Sequence, residues 1–256
     1  MDLIERPAEF VRRHPWEVAR ARFFLRLLER LGCLSTTTAW LDVGAGDGWF
    51  ASQLRAVLPA TATLVCWDVH YGDAELSSPA PEHANIVFTA QRPPGAFDGV
   101  MMLDVIEHVE DDVAFVRDVV GDSLAESGWV LVSVPAYQGL FSDHDRALKH
   151  YRRYSPRALR ATLESAGLTV VARGGLFHTL LPLRSAMVLR ERQRRTHLPQ
   201  TGLGGWHGSE RLSRAIVFAL DSEARMSLAM GTRNFPPLPG LSTWALCRRA
   251  STGTTS

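Results

Sequence analysis

LDVGAGDGWF, residues 41–50, joins a short apolar strand to the start of a helix through a run of alternating glycines. Gly44, Gly46 and Gly48 let the backbone take positive φ angles and approach a bound molecule closely. The helix that follows points its first N–H groups toward the same place, which suits a polar or anionic ligand. The sequence therefore predicts a ligand-binding turn at the carboxyl end of the first strand.

Strand and helix patterns alternate on both sides of this turn. Helices are predicted at residues 16–31, 47–58, 111–128 (closed by Gly128) and 155–167 (capped by Ser155, with Pro156 at its first position). Strands are predicted at residues 39–46, 61–69, 85–90, 97–105, 129–135, 168–175 and 241–249. This alternation indicates an α/β fold, a doubly wound, seven-stranded, mostly parallel sheet of the Rossmann-like kind.

We expect all 256 residues to form one domain with a helical insertion between its last two strands. The predicted parts are an N-terminal helical lid at 1–38, a core at 39–175 and 241–249, the insertion at 176–240 and a disordered tail at 250–256. A flexible linker is predicted within the insertion at 201–209. The insertion follows the sixth strand, so a parallel sixth strand would begin it beside the ligand site.

Composition excludes several classes of function. The net charge of +1 provides no long-range field that would select nucleic acid or an anionic membrane. Cys33, Cys66 and Cys247 lie far apart in sequence, which fits neither a disulfide framework nor a zinc knuckle. The N-terminal stretch lacks an apolar signal region and no run of about 18 apolar residues exists, so we expect a cytoplasmic protein.

An acid follows the second strand at the spacing that a nucleoside cofactor requires. Asp68 lies twenty residues after Gly48, where a carboxylate can accept hydrogen bonds from a ribose diol. The run G-A-G-D-G differs from the dinucleotide fingerprint G-x-G-x-x-G, and Asp42 precedes it inside the strand. This form resembles motif I of the class I S-adenosylmethionine-dependent methyltransferases.

Three further stretches carry the same resemblance. FDGVMMLDVIEHVEDD (97–112), GWVLVSVPAY (128–137) and PRALRATLESAGL (156–168) are similar to the small-molecule, type 11/12-like branch of that family. The likeness covers residues 14–175 and the final strand. It implies S-adenosyl-L-methionine as cofactor, bound by Asp42, Gly44, Ala45, Gly46, Gly48, Asp68, Val69, Gln91, Leu103, Asp104, Trp16 and Arg20.

Two of these assignments have alternatives. The family usually offers an Asp to the adenine amino group after the third strand, but here Gln91 or a backbone carbonyl has to take that role. Trp16 and Arg20 would close the pocket, with Arg20 meeting the carboxylate of the cofactor. The alternative is an ordinary amphipathic helix with solvated arginines.

SDHDRALKHYRRYS, residues 142–155, follows the fifth strand and is the densest group of ionisable side chains in the chain. His144 and His150 are the candidate catalytic bases, since imidazole titrates near neutral pH, and Asp143 or Asp145 would orient one of them. The alternative is a charged cap whose arginines pair with its own carboxylates. We expect no metal site, because His144 and His150 are six residues apart and arginines lie close by. A nucleic-acid-binding patch is also disfavoured by the near-zero net charge, although it could use Arg146, Lys149, Arg152, Arg153 and the tyrosines.

The sequence thus predicts in-line methyl transfer to an O or N atom of a small-molecule acceptor, such as a natural-product, sugar or lipid-linked intermediate. An NAD(P)-dependent oxidoreductase of related topology is one alternative, but none of the four tyrosines has a Lys four positions later. A catalytically silent, methyltransferase-like binding protein is the other. The start of the insertion is predicted to be a buried lid helix, which is favoured over a helix lying on a membrane surface.

Overall fold

The structure is a computed structural model that describes residues 13–73, 76, 85–194, 206, 208–231 and 238–250. The start of the predicted lid (1–12), residues 201–205 of the predicted linker and residues 251–256 of the predicted tail lie outside this part.

The seven strands form one sheet in the order β3-β2-β1-β4-β5-β7-β6. Strand β7 pairs antiparallel with β5 and β6, and the other pairings are parallel. The doubly wound, mostly parallel sheet predicted from the sequence is therefore confirmed. Its strands are β1 Ala39–Val43, β2 Thr63–Trp67, β3 Val87–Thr89, β4 Phe97–Leu103, β5 Leu124–Pro135, β6 Leu168–Leu176 and β7 Ser242–Arg249.

Helices cover both faces of this sheet. Ser155 caps the helix that begins at Pro156, as predicted, and its hydroxyl accepts a hydrogen bond from Ala158 N at 3.1 Å. Short 3-10 turns occupy Ile106–His108 and Gln138–Leu140. The α-helices are α1 Pro15–Arg30, α2 Cys33–Thr36, α3 Trp49–Arg55, α4 Asp112–Ser123, α5 Asp143–Ala147, α6 Pro156–Ser165, α7 Leu180–Arg194 and α8 Glu210–Gly231.

The helix predicted at 111–128 is too long, because α4 ends at Ser123 and β5 begins at Leu124. Leu124 pairs with Phe97, and a register shift in the β4–β5 ladder accommodates the residues before Trp129. Gly128 does not close the helix. Glycine is needed at this position for space, because an added Cβ would lie 2.6 Å from the Leu124 side chain and 3.1 Å from Asp98 O.

The core has two layers, one on each side of the sheet. Phe23, Phe24 and Leu28 of α1 belong to one cluster, which includes buried residues of α3 and α8. Val116 of α4 and Leu159 of α6 belong to the other. Burial on both faces explains why the central strands read as nearly continuous apolar runs.

The insertion begins at the carboxyl edge of the sheet. Because β7 is antiparallel to both β5 and β6, β6 runs parallel to the core strands and ends at the same edge as they do. Helix α7 then contacts the segment after β5, where Arg184 donates to Ser142 Oγ at 2.7 Å and Arg192 to Gly139 O at 2.8 Å. Helix α8 lies against α1, where Arg26 contacts both carboxylate oxygens of Asp221 at 2.6 and 2.9 Å.

Among the described residues, we find no helix with the length and apolar character needed to cross a membrane.

Candidate functional site

The glycine turn after β1 has the backbone conformation that its sequence predicts. Gly44, Gly46 and Gly48 have φ angles of 64°, 56° and 69°, in the left-handed region. A Cβ added to Gly44 would meet Val105 Cγ2 at 2.7 Å, so glycine is required there for space as well as for conformation. The turn is thus a narrow cradle of backbone against the end of β4.

Asp68 connects the end of β2 to this turn. Its side chain is largely buried, and Oδ2 accepts a hydrogen bond from Gly46 N at 3.0 Å. Its Oδ1 accepts from His70 N at 2.9 Å. The carboxylate that the sequence predicts for a ribose diol therefore lies directly beside the glycines.

Asp42 lies beneath the turn, in the middle of the sheet. It is 3% exposed and pairs in register with Cys66 and Met101 of the flanking strands. Burial raises the pKa of Asp42 to about 7, and the nearby Asp68 carboxylate adds to the rise. The carboxyl of Asp42 therefore keeps its proton to a higher pH than an exposed Asp does.

Helix α1 crosses the same edge of the sheet. Near its start, Arg13 contacts the Asp47 carboxylate in the glycine turn and lies 4.9 Å from the centre of the Trp49 ring. One turn into the helix, Arg20 donates a hydrogen bond to Asp104, the residue after β4. The Arg20 guanidinium also stacks over Trp16 at 4.9 Å. The predicted amphipathic helix is therefore anchored at two points to the loops around the cradle.

The remaining predicted cofactor residues lie at the rim. Ala45 and Leu103 are half-buried, while Val69, after β2, is 68% exposed. Gln91 is exposed after β3, and its backbone N and O both hydrogen-bond the Thr89 hydroxyl. The structure groups these residues around one edge, and their roles in binding stay predictions.

Three non-glycine residues with positive φ mark the ends of β4, β5 and β6. These are Asp104 (59°), Tyr137 (60°) and Phe177 (63°). Such conformations cost about 1–3 kcal/mol each and concentrate at functional sites. Phe177 is buried and packs edge-on against Trp16 at 6.3 Å. Sequence reasoning missed Tyr137 and Phe177 because no residue pattern reports backbone strain.

In the segment after β5, Asp145 is fully buried and holds two cationic or donor groups. It accepts from His150 Nδ1 at 3.0 Å and from Arg153 Nε at 2.7 Å. Burial by itself would raise its pKa, but these two hydrogen bonds hold the pKa of Asp145 well below its usual range. Arg146 separately pairs with Asp143 at 2.5 Å. The segment therefore contains the internal ion pairs of a charged cap and, in addition, an oriented histidine.

The two candidate histidines have different environments. His144 lies on α5, where burial, and after it the nearby Arg184 guanidinium, lower its pKa. His150 is only 7% exposed in its side chain and is directed by Asp145. Its ring packs at right angles to that of His108, with 4.5 Å between the ring centres.

Glu107 lies in the loop after β4, a region in which the sequence analysis assigned cofactor-binding roles only to Leu103 and Asp104. It is fully buried, and neither carboxylate oxygen has a hydrogen-bond partner among the described residues. Burial raises the pKa of Glu107 well above its usual value, and the Asp104 carboxylate raises it further. The signal that could have found it is its position beside His108 at the carboxyl end of a strand.

Residues 15–173, more than half of the chain, match the family model described as a methyltransferase domain. No curated protein matches the chain.

Solved structures with a similar fold include a putative sarcosine dimethylglycine methyltransferase from Galdieria sulphuraria, with 14% identity, coverage of 90% of this chain and 85% of that one, and a TM-score of 0.54. The [4+2]-cyclase SpnF has 17% identity over 95% of this chain and 86% of its own, with a TM-score of 0.54. The plantazolicin methyltransferase BpumL, solved with a monoazolic desmethylPZN analog and SAH, has 11% identity over 92% of this chain and 85% of its own, with a TM-score of 0.52. At these identities the likeness shows the fold.

Proposed function

Because the chain belongs to the methyltransferase domain family and is therefore a methyltransferase, we propose that it transfers a methyl group from S-adenosyl-L-methionine to an oxygen or nitrogen atom of a small-molecule acceptor. The observation that carries this proposal is the connection of the glycine turn to Asp68 through the Gly46 N–H. A turn of this kind can receive a nucleoside and an amino-acid group from one side.

The residues at the edge of the sheet fit this cofactor. Val105 limits the space beside Gly44. This space has room for backbone but not for a side chain at position 44. Asp68 holds its carboxylate beside the turn, where it would accept hydrogen bonds from a ribose, and the exposed Gln91 would meet the adenine. The residues proposed to hold the cofactor are those predicted above: Trp16, Arg20, Asp42, Gly44, Ala45, Gly46, Gly48, Asp68, Val69, Gln91, Leu103 and Asp104.

When bound, S-adenosyl-L-methionine supplies a methyl group on a positively charged sulfur. Asp42 in its ionised form would attract the ammonium of the amino-acid part, and Arg20 would attract the carboxylate. Asp104 holds the Arg20 guanidinium in position. Contacts of Asp42 with the ammonium and of Arg20 with the carboxylate, which share the α carbon, would therefore orient the amino-acid group within the turn.

The chain must also keep water away from the reacting atoms. Trp16 and Phe177, from α1 and the end of β6, pack against each other at this edge. Helix α7 is attached to the segment after β5 through Arg184 and Arg192. We assign the acceptor pocket to the space bounded by these elements.

A hydroxyl or ammonium acceptor has to lose a proton, and His144 is the base that we assign. Its lowered pKa leaves the imidazole neutral near pH 7, so a ring nitrogen can accept the proton. The carboxylate of Asp145 hydrogen-bonds His150 and not His144. We therefore do not assign His150 as the base.

The names of the structural neighbours support a chemical class for the acceptor. Two of those names refer to methylation of a small amine and of a natural product. We therefore propose a small polar acceptor, such as a natural-product, sugar or lipid-linked intermediate. A third neighbour is named as a cyclase, so this fold also supports chemistry other than methyl transfer.

Calorimetry with S-adenosylhomocysteine tests the proposal. We expect binding at micromolar or lower concentration, and Asp68→Ala should weaken it by tenfold or more. The matched control is Asp118→Ala, an exposed Asp of α4, which should bind as the wild type does. Binding of NAD in place of S-adenosylhomocysteine would refute the proposal.

A further inference from the structure

Two loops at the carboxyl edge of the sheet are joined into one unit. Tyr151 N donates to Glu107 O at 2.8 Å, which connects the segment after β5 to the segment after β4. Arg152 adds a second connection by donating to Glu110 O at 2.6 Å. These contacts bring the imidazole of His150 against that of His108.

The carboxylate of Glu107 lies buried within this unit. Burying an ionised carboxylate without hydrogen bonds is costly, so such groups are normally protonated, paired or bound to a metal. Neither oxygen of Glu107 has a hydrogen-bond partner in the part of the chain that the structure describes. Glu107, His108 and His150 each offer a ligand atom, and the three atoms lie within 4.8 Å of one another.

We propose that Glu107, His108 and His150 bind a divalent transition-metal ion. Two imidazoles and one carboxylate form a ligand set that suits zinc, iron, cobalt and related ions. The three atoms would have to move closer together to reach metal–ligand distances of about 2.0–2.2 Å. A cation there would also compensate the buried charge of Glu107.

Asp145 supplies the outer support that metal-binding histidines usually have. It accepts the hydrogen bond from His150 Nδ1 at 3.0 Å, so the lone pair of His150 is on Nε2. A carboxylate on the far nitrogen fixes the tautomer and the ring orientation, and it makes the imidazole a stronger ligand. Asp145 is thus a positioning residue for the site.

Arginines near the site do not oppose a cation as strongly as the sequence suggests. Arg153 contacts Asp145 at 2.7 Å, and Arg152 contacts Asp112 at 3.1 Å. Arg20 contacts Asp104. Each of these positive charges is therefore paired with a carboxylate, and Asp145 is shared between Arg153 and His150. The sequence argument against a metal considered His144 with His150, whereas the fold combines His150 with two residues of another loop.

Three protein ligands leave coordination positions open on the ion. An oxygen of the acceptor could occupy one of them at the edge of the sheet that holds the glycine turn. This role for the ion rests on the proposed function, whereas the binding of the ion does not.

The experiment is metal binding by the full chain, first freed of metal with a chelator and studied without cofactor or acceptor. Zn²⁺ is titrated by calorimetry, and Co²⁺ is followed by its visible absorption. We expect one ion per chain in the wild type and a loss of affinity of at least tenfold in His108→Ala, His150→Ala and Glu107→Gln. Asp145→Asn should weaken binding by about 10- to 100-fold.

His144→Ala is the matched control, since His144 lies on the same segment outside the three-residue group and should bind Zn²⁺ as the wild type does. Circular dichroism identifies any variant that does not fold, and Glu107→Gln keeps the side-chain volume for this reason. The proposal is overturned if the wild type binds no ion, if the folded ligand variants bind like the wild type, or if His144→Ala removes binding. If the wild type binds Zn²⁺ but does not bind S-adenosylhomocysteine, the proposed function alone is refuted.

Discussion

Arg20 of α1 donates a hydrogen bond to Asp104, 84 residues later, and so connects the N-terminal helix to the loop after β4. The Arg20 side chain is 11% exposed and that of Asp104 is 32% exposed. Asp104 also has a positive φ of 59°. The pair therefore orders a strained loop beside the glycine turn.

Replacing Arg20 with Ala should lower both the stability of the protein and its affinity for S-adenosylhomocysteine, because Asp104 then loses its partner. A double-mutant cycle with Asp104→Asn should give a coupling on the order of 1 kcal/mol in chemical denaturation, since the pair is partly exposed. Arg22→Ala, at an exposed position of the same helix, is the control and should be neutral. A coupling near zero would mean that the contact does not stabilise the loop.

Gly44→Ala should destabilise the protein by about 2–4 kcal/mol, because the new Cβ meets Val105 and the residue has a positive φ. Adding Val105→Ala to this variant should recover part of the loss by removing the contact. Gly121→Ala in α4, where no atom lies within 4 Å of the new Cβ, should stabilise slightly. Thermal denaturation of the four proteins measures these effects. The absence of any recovery in the double variant would show that backbone strain alone is responsible.

Asp42→Asn should change the dependence of stability on pH. Since the pKa of Asp42 is raised to about 7 in the folded state, the folded protein favours the protonated form. Stability associated with this group is present below its unfolded pKa of about 4 and is lost as the pH rises toward 7. Denaturation with urea should therefore show Asp42→Asn gaining about 2–3 kcal/mol relative to the wild type between pH 5 and pH 8. If the difference in free energy of unfolding between the two proteins is the same at pH 5 and at pH 8, the raised pKa of Asp42 is contradicted.

The same residue should make cofactor binding depend on pH. If ionised Asp42 attracts the ammonium of S-adenosylhomocysteine, the affinity of the wild type should rise as the pH increases through about 7. The affinity of Asp42→Asn should be lower at pH 8 and nearly constant. Calorimetry at pH 6 and pH 8 measures both proteins, and parallel pH profiles would exclude a direct role for Asp42.

His144→Ala should lower turnover by about 10²- to 10⁴-fold, the usual contribution of a general base. Affinity for S-adenosylhomocysteine should be retained, because His144 lies in the acceptor-side segment. The measurements are methyl transfer to an identified acceptor and calorimetry of the same preparation. A variant with the full wild-type rate would show that His144 is not the base.

The glycine turn and the sheet could be predicted from the sequence because their determinants are local. Positive φ at Gly44, Gly46 and Gly48 and the spacing to Asp68 are readable from a short stretch. The end of α4 could not be predicted in this way. Residues 124–128 follow the helix without a Pro, and it is the pairing of Leu124 with Phe97 on a neighbouring strand that ends the helix.

The roles of the two candidate histidines also depended on distant residues. The sequence marked His144 and His150 as equivalent, because both lie in one ionisable segment. Only the folded chain shows that Asp145 holds His150 and that the loop after β4 meets it through Glu107 and His108.

The sequence by itself determined the α/β class, the family resemblance and the edge of the sheet where we propose that the ligand binds, because periodicity and glycine spacing act over a few residues. The tertiary structure alone decided which side chains meet at that edge. Arg20 with Asp104, and His150 with Glu107, lie 84 and 43 residues apart in the chain. Such contacts depend on the order and direction of the strands, and no local pattern encodes them.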